Sequence, residues 1–258
     1  MTGVRKMKIR AAWLLIAITF VSLPVLGQQV GEGGEEFHYS WRLRGGLSWV
    51  AGLRFPTSGV GELRNQPKEG SGSFESQLLI TAPDNRNGYY IYRSEIDPHG
   101  SKTLMSYYGY GWGRKHRNER TLFDYVKRLA RIRKVTPDKV ENRVRQIPSQ
   151  NMRDILTGIH YLRENADKIQ APVRSEIYSE GKTYPVLFRP LGTGTYDFKG
   201  QKVATRGFLI TAAPGGRKFP GGVRVWISQD GRNIPFRIEI QRTGASVQLD
   251  LKSFHQES

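Results

Sequence analysis

The fold is decided by one stretch of the chain, residues 223–240, which read VRVWISQDGRNIPFRIEI. On both sides of Asp230-Gly231, apolar and polar residues alternate with the two-residue period of a β-strand. Asp-Gly between two such runs is a strong short-range hairpin signal, because both residues adopt positive φ easily. We therefore predict an antiparallel hairpin here, and Thr243-Gly244 predicts the turn that follows it.

Similar strand patterns extend from this hairpin toward the N-terminus. Phe37 to Leu43 alternates apolar and polar residues, and Asn87-Gly88 ends a dense run of turn residues. Short strands with frequent turns predict a mainly β fold, a single curved or partly closed antiparallel sheet that resembles half a barrel. The predicted strands are 37–43, 47–55, 74–81, 88–96, 104–112, 173–178, 183–190, 192–198, 201–212, 223–228, 233–241 and 245–254, and residues 65–73 are predicted to be a loop.

Residues 151–168 predict the one clear helix of the chain. Asn151 is placed to cap its N-terminus, and Pro148 and Pro172 lie on either side of it. Arg163, near its end, could pair with a carboxylate on the sheet, although the sequence does not name the partner. The helix is expected to pack on the open side of the sheet through one apolar stripe, made of Met152, Ile155, Ile159 and Leu162.

Residues 119–147 fit two structures. Their apolar residues have in part the spacing of an amphipathic helix, whereas Pro137-Asp138 predicts a turn between two strands. The β-rich surroundings favour the second interpretation, a hairpin with strands at 121–135 and 139–147.

Three segments and their spacing carry a resemblance to a known family. They are EEFHYSW at 35–41, DILTGIHYLR at 154–163 and the closing hairpin at 225–239. Together they resemble the bacterial secreted family called domain of unknown function 3108. The resemblance implies an exported β-rich domain with no assigned reaction, and strands at 119–147. The general plan is similar to half-barrel carriers of lipids or lipoproteins, which is an analogy of fold alone.

The N-terminus has the order of a secretory signal peptide. Basic residues from Arg5 to Arg10 precede an apolar run, and Gly27 ends a permitted cleavage sequence. The run is shorter than the ~20 residues that a membrane span needs, so an uncleaved anchor is the less favoured alternative. We expect an exported, periplasmic or extracellular protein without a stable transmembrane segment in its mature chain. Its parts are a signal peptide at 1–27, a flexible segment at 28–36 and one β-rich domain at 37–254.

The chain is strongly basic and has no cysteine. Its formal charge is +17, and about +13 remains once the four basic residues of the signal peptide are removed. Outside the cytoplasm, such a charge favours lipid head groups and acidic polysaccharides over nucleic acid as partners. Without cysteine, the chain has no disulfide, no zinc–thiolate site and no thiol nucleophile.

Residues 114–145 hold more than half of that positive charge. In a hairpin, alternate residues point to opposite faces, so one face of this segment could be strongly cationic. Such a face would attract an anionic membrane or an acidic polymer, or would be an ordinary solvated surface. The residues predicted to form this basic surface are Arg114, Lys115, Arg117, Arg120, Lys127, Arg128, Arg131, Arg133 and Lys134.

Aromatic residues lie on several of the predicted strands. One interpretation is that they fill an ordinary core, because aromatic side chains pack well on pleated sheets. The other is that the concave face leaves room among them for an acyl chain or another apolar ligand. The candidate ligand-binding residues are Trp41, Tyr90, Tyr92, Tyr108, Tyr110, Trp112 and Trp226.

No catalytic or metal-binding motif is visible in the sequence. The five histidines do not have metal-ligand spacing, and His160 on the helix is expected to be a hydrogen-bonded interface residue. We predict no cofactor, no metal and no enzymatic activity. The first hypothesis is a binding protein for a lipid, a lipoprotein or another amphiphile. The alternatives are a basic module for an acidic envelope polysaccharide and, less favoured, a hydrolase with a scattered site.

Overall fold

In the part of the chain that the structure describes, fourteen antiparallel strands form one continuous sheet. The computed structural model describes residues 33–45, 56–82, 88–112, 115–216, 219, 221–242 and 244–256. The strands are β1 (Glu35–Arg44), β2 (Ser58–Pro67), β3 (Phe74–Thr81), β4 (Tyr89–Ile96), β5 (Thr103–Trp112), β6 (Lys115–Asp124), β7 (Leu129–Thr136), β8 (Lys139–Gln146), β9 (Val173–Ser179), β10 (Lys182–Phe198), β11 (Gln201–Ala212), β12 (Val223–Ser228), β13 (Pro235–Arg242) and β14 (Ala245–Gln256).

The order of the strands places β1 and β14, the first and last of the described strands, side by side near the middle of the sheet. β1 pairs with β14, and the sheet continues from β1 to β8 on one side and from β14 back to β9 on the other. β8 and β9 are therefore the two edges, and the sheet is not closed between them. The chain passes from β8 to β9 through α1 (Ile155–Glu164), the single helix of the described residues.

The sheet curves around this helix. Laid flat, the fourteen strands would span about 60 Å at the usual strand spacing. Yet Tyr39 of β1 and Phe208 of β11 belong to one buried core with Ile159 of the helix. The far parts of the sheet also meet, because the hydroxyls of Thr121 on β6 and Tyr178 on β9 are 2.8 Å apart. The predicted fold class, a partly closed antiparallel sheet with one packing helix, is therefore confirmed.

The hairpin predicted at 223–240 is confirmed, although its loop is longer than a two-residue turn. β12 and β13 pair antiparallel and are joined by residues 229–234, in which Gly231 has a φ of 82°. The carboxylate of Asp230 accepts hydrogen bonds from Ser228 Oγ at 2.7 Å and from the backbone N–H of Arg232 at 3.1 Å. Asp230 therefore organises the loop through its side chain.

The hairpin interpretation of residues 119–147 is confirmed with one correction. β7 and β8 pair on either side of the Pro137-Asp138 turn, as predicted. The long strand predicted at 121–135 is instead two strands, because a turn at 125–128 separates β6 from β7. Arg128 has a φ of 56° in this turn, a conformation that non-glycine residues adopt uncommonly.

Two further elements differ from the prediction, namely the loop predicted at 65–73 and the separate strands predicted at 183–190 and 192–198. The strand that returns beside β1 is β2, which extends into the predicted loop at 65–73. The return strand predicted at 47–55 lies outside the described residues. β10 is one strand with a bulge between Pro190 and Gly192, because its pairing with β11 continues across the bulge.

The N-terminal boundary of the sheet lies earlier than predicted. β1 begins at Glu35, inside the segment predicted to be flexible at 28–36, and β14 extends to Gln256. The signal peptide predicted at 1–27 lies outside the described residues. In the part of the chain that the structure describes, no helix has the length and apolar character needed to cross a membrane.

The N-terminus of α1 is fixed to β4 and β5. The helix is shorter than predicted, and Asp154, not Asn151, is its N-cap. The carboxylate of Asp154 accepts from the backbone N–H of Thr157 at 2.9 Å and from the hydroxyl of Ser94 on β4. Its backbone N–H donates to Thr103 Oγ1 on β5 at 2.9 Å. The cap satisfies a helix N–H that would otherwise lack a partner, and it ties the helix to the sheet.

The C-terminus of α1 is fixed to β1 by a buried ion pair. Both Nη atoms of Arg163 donate to the carboxylate of Glu35, at 2.8 and 3.0 Å. Nε of Arg163 donates to the backbone carbonyl of Asn233 at 2.8 Å, and Asn65 and Gln256 donate to Glu35 at 3.0 and 3.1 Å. The two buried charges are tolerated because their side-chain polar atoms all have partners. Glu35 is thus the carboxylate on the sheet that pairs with Arg163, which the sequence alone could not identify.

Replacing Arg163 with methionine should destabilise the protein by about 3–5 kcal/mol, because the Glu35 carboxylate would remain buried without its partner charge. Urea unfolding followed by tryptophan fluorescence measures the loss. Arg224→Met is the matched control, since Arg224 pairs with Glu239 at 3.3 Å on a more exposed surface and should cost less than about 1 kcal/mol. Equal losses of unfolding free energy in the two variants would show that the buried ion pair stabilises the protein no more than an exposed pair does.

The same ion pair makes stability depend on pH. Burial by itself raises the pKa of Glu35, but the charge and hydrogen bonds of Arg163, with those of Asn65 and Gln256, outweigh it and lower the pKa from 4.5 to about 2. The unfolded chain takes up this proton at a higher pH than the folded protein does. The stabilisation is therefore complete above pH 4.5 and is lost as the pH falls to about 2.

Between about pH 5 and pH 2, the free energy of unfolding should fall by about 3 kcal/mol more in the wild-type protein than in a Glu35→Gln, Arg163→Met double variant. The double variant lacks the shifted carboxyl and leaves no unpaired buried charge. Urea titrations at a series of pH values give both curves. Parallel curves would contradict the assignment of the acid sensitivity to Glu35.

Candidate functional site

A cavity of about 410 Å³ opens on the inner face of the sheet. Six strands contribute to it, namely β1, β3, β4, β5, β13 and β14. Its lining is mostly aromatic and aliphatic, and we call it the aromatic cavity. The lining residues are Trp41, Leu43, Pro56, Ile80, Thr81, Ala82, Gly88, Tyr90, Tyr92, Tyr108, Glu180, Ile240 and Val247.

Two neighbouring strands bring three tyrosines to one wall of the aromatic cavity. Tyr92 on β4 lies directly opposite Tyr108 on β5, with ring centroids 5.1 Å apart. Tyr90 lies two residues before Tyr92 and therefore shares its face, where it pairs with Tyr110 at 6.0 Å. Cross-strand aromatic pairs stabilise a sheet and restrain the rings that form them.

Trp41 forms another wall, and its position depends on a glycine. The indole N–H donates to the backbone carbonyl of Thr81 on β3 at 2.8 Å, across the intervening strand β2. A β-carbon at Gly59 of β2 would lie 2.4 Å from the indole nitrogen and 2.1 Å from the Thr81 oxygen. The indole ring of Trp41 therefore lies across β2 against the backbone of Gly59, and its hydrogen bond to Thr81 fixes its position.

The structure brings together four of the seven predicted aromatic residues, namely Trp41, Tyr90, Tyr92 and Tyr108. Tyr110 contacts Tyr108 at 6.0 Å but does not line the cavity. Trp226 does not line the aromatic cavity. Its ring lies against Gly207 on β11, where an added β-carbon would be 2.7 Å from a ring atom. The side chain of Trp112 lies outside the described residues.

Glu180 is a lining residue that the sequence analysis did not identify. It lies in the tight turn between β9 and β10 with a φ of 49°, next to Gly181 with a φ of 73°. Arg117 on β6, which is 63 residues away in the chain, donates to its carboxylate at 3.3 Å. The sequence marks Glu180-Gly181 as a turn, but no local signal shows that this turn contacts β6.

The predicted basic surface is divided between the two faces of β6 and β7. Arg120 and Arg133 lie directly opposite each other and are exposed on the outer face, which they share with Arg131. Arg117 and Lys134 lie on the inner face, where they line a second cavity. The other predicted residues are Lys115, exposed at the start of β6, Lys127 and Arg128, exposed in the turn after it, and Arg114, outside the described residues.

His160 is a buried residue of the helix–sheet interface. Its ring packs against Phe74 with centroids 4.5 Å apart, but Nδ1 has no hydrogen-bond partner among the described residues. His160 is thus an interface residue, as expected, and its Nδ1 atom is one buried polar atom that lacks a partner in the described residues. Burial and the charge of Arg163 lower the pKa of His160 to about 3, so the ring is neutral near pH 7.

One cluster in the described residues could offer three metal-ligand atoms within 4.8 Å of one another, namely those of Glu36, His38 and Glu62. Arg64 lies beside it, with Nη2 at 3.1 Å from Glu36 and Nε at 2.5 Å from Glu62. This guanidinium already pairs with both carboxylates. The arrangement is a surface ion-pair network, and a metal ion would have to displace the arginine.

These features define a class of protein: an open antiparallel sheet, curved like part of a barrel, with a helix against its inner face and a ligand-sized cavity. Residues 77–252 match the family described as Protein of unknown function (DUF3108). The chain belongs to this family, which confirms the resemblance carried by the helix and the closing hairpin. No curated protein matches the chain in sequence.

Three solved structures are similar to this chain to different degrees, all at low sequence identity. A beta-barrel-like protein of the domain of unknown function DUF1849 from Brucella abortus is 8% identical, with a TM-score of 0.54 over 88% of this chain and 98% of that one. The lipoprotein LppX from Mycobacterium tuberculosis is 14% identical, with a TM-score of 0.30 over 86% and 87% of the two chains. A putative outer membrane lipoprotein-sorting protein domain from Vibrio parahaemolyticus is 10% identical, with a TM-score of 0.21 over 88% and 87%. The first likeness supports the fold alone, and the other two are too distant to carry an argument.

Gly59→Ala should destabilise the protein by about 1–3 kcal/mol, because the added methyl group would displace the Trp41 ring from Thr81. Thermal and urea unfolding measure the loss, and the tryptophan emission spectrum reports the displaced ring. Ser58→Ala, at the exposed neighbouring position on β2, is the control and should change stability by less than about 0.5 kcal/mol. A Gly59→Ala variant as stable as this control would rule out the close approach of Trp41.

Proposed function

We propose that this protein binds an amphiphile in the cell envelope and holds the apolar chain of that ligand in the aromatic cavity. One observation carries the proposal: a space of about 410 Å³, walled by Trp41, Tyr92 and Tyr108, next to a densely packed core. Ligand sites have volumes of roughly 300–1,000 Å³. If the sheet served only as a scaffold, we would expect side chains to fill the space along its inner face, because protein interiors are close-packed.

The walls favour an apolar chain over a sugar or a nucleotide. Ile80, Ile240 and Val247 offer aliphatic surface beside the aromatic rings. Covering such surface is worth about 25 cal/mol per Å², and an acyl chain can follow the cavity without unpaired polar groups. The hydrogen bond of Trp41 and the tyrosine pairs make the cavity preformed, so little ordering is needed when a ligand binds. The role is binding rather than catalysis.

The proposed location is the periplasm or the cell surface. The signal-like order of basic and apolar residues before Gly27 supports export, and a chain without cysteine folds without disulfides wherever it is released. Expression of the full chain followed by N-terminal sequencing tests this part, and a mature protein that starts near Gln28 is the expected result. Retention of residues 1–27 would contradict it.

The first test of ligand binding is extraction of the purified, exported protein with organic solvent, followed by lipid mass spectrometry. A stoichiometric amphiphile supports the proposal and identifies the chemical class of the ligand. The protein freed of ligand then allows titration with N-phenyl-1-naphthylamine, a neutral apolar probe whose fluorescence rises in an apolar site.

Ala82→Trp should weaken binding of this probe at least tenfold, because the indole would occupy the cavity that Ala82 lines and exclude several apolar groups of the ligand. Thr193→Trp places the same side chain at an exposed position on β10 and should bind the probe like the wild-type protein. Circular dichroism confirms that both variants are folded. Unchanged binding in a folded Ala82→Trp variant would overturn the proposal.

A further inference from the structure

A second cavity of about 410 Å³ lies where the turn between β9 and β10 meets the inner face of β6, β7 and β8. Its lining is dominated by charge, and we call it the basic cavity. Arg143 and Arg145 of β8 share its wall with residues of β6 and β7, because alternate residues of adjacent strands point to the same face. The basic side chains of its lining are Arg117, Lys134, Arg143, Arg145 and Lys182.

The carboxylates of the basic cavity already have cationic partners. Glu119 and Glu180 both accept from Arg117, at 2.8 and 3.3 Å. Glu141 pairs with Arg143 and, at 3.0 Å, with Lys139. Every carboxylate of the lining is therefore in an ion pair, whereas some of the cations of the lining are not.

Three cations of the basic cavity have no carboxylate within ion-pair distance among the residues described, namely Lys134, Arg145 and Lys182. Arg145 donates to the backbone carbonyl of Gly181 at 2.9 Å, which orients the guanidinium without neutralising it. Like charges gathered around one concave space repel one another, and an anion placed among them removes that repulsion. The excess of positive charge therefore makes the basic cavity suited to binding an anionic group.

The basic cavity adjoins the aromatic cavity. Glu180 lines both of them, and Tyr92, Tyr108 and Glu180 also line a small pocket between the helix start and this turn. Arg117, which lines the basic cavity, lies 5.9 Å from the ring centroid of Tyr108, which lines the aromatic one. The Arg117–Glu180 pair thus stands at the boundary, with an apolar space on one side and unneutralised cations on the other.

We infer that the basic cavity binds the phosphate group of an amphiphile whose apolar chain occupies the aromatic cavity. This inference rests on the proposed function and adds the chemical class of the head group. A phosphate ester offers several acceptor oxygens and up to two negative charges, which match the donors of Lys134, Arg145 and Lys182. A free phosphate ester has the same chemistry, so the test must separate it from a head group.

The test compares three probes on the ligand-free protein by isothermal titration calorimetry, and the two oleoyl probes are kept below the concentrations at which they aggregate. They are 1-oleoyl lysophosphatidic acid, 1-oleoylglycerol, which has the same chain without phosphate, and glycerol 3-phosphate, which has the same head without the chain. We expect the oleoyl phosphate to bind at least about tenfold more tightly than either of the other two, because hydrogen bonds to charged groups add to chain burial.

A matched pair of double variants assigns the effect to the basic cavity. Lys134→Gln with Arg145→Gln should remove the advantage of the oleoyl phosphate and leave binding of 1-oleoylglycerol unchanged, which also shows that the variant is folded. Arg120→Gln with Arg133→Gln removes the same number of charges from the outer face of β6 and β7. This control should keep the preference for phosphate.

The outcomes separate the two proposals. Equal affinities for the two oleoyl probes would overturn the head-group inference and leave the proposed function standing. Absence of binding by both oleoyl probes would overturn the proposed function itself. If glycerol 3-phosphate bound as tightly as the oleoyl phosphate, the basic cavity would be a site for a free phosphate ester, and the head-group inference would be wrong.

Discussion

The buried ion pair between Arg163 and Glu35 is the constraint on which the rest of the architecture depends. It joins the last turn of α1 to the first residue of β1, while Asp154 joins the first turn to Ser94 on β4. A helix fixed at both ends has one position within the curve of the sheet. Breaking either attachment would leave buried polar groups without partners, which costs far more than a surface contact. The polar attachments therefore specify where the apolar stripe of the helix must pack.

The position of the helix also determines where the interior stays open. Trp41, Ile80 and Ile240 belong to the core cluster that surrounds the helix, and the same side chains line the aromatic cavity. Core and cavity are thus neighbours that share a wall. Because β8 and β9 do not pair with each other, the turn after β9 reaches across to β6, and the basic cavity forms at that crossing. The incomplete closure of the sheet is therefore what places apolar and cationic spaces side by side.

The sequence predicted the fold where the relevant signal is local. The Asp230-Gly231 hairpin, the Pro137-Asp138 turn and the apolar stripe of the helix depend on residues close together in the chain. The tyrosines that line the aromatic cavity could also be predicted, because the alternation of side chains along β4 places Tyr90 and Tyr92 on one face of the sheet.

The errors arose where distant contacts override local propensity. β2 contains Gly59 and Gly61, which are poor strand formers, and the first of them is required by the Trp41 ring. The turn at 125–128 carries neither glycine nor proline. Glu35 and Glu180 owe their roles to arginines 128 and 63 residues away, and no spacing rule connects them.

The pairing of β1 with β14 has a kinetic consequence. Glu35 lies opposite Gln256, so the central ladder of the sheet joins segments separated by almost the whole described chain. Loop-closure entropy must be overcome before such a contact forms, which makes a topology of this kind slow to fold. During synthesis β1 keeps an unpaired edge until β14, the last of the described strands in chain order, has emerged. The central ladder of the sheet therefore forms only after all of the described strands have been made.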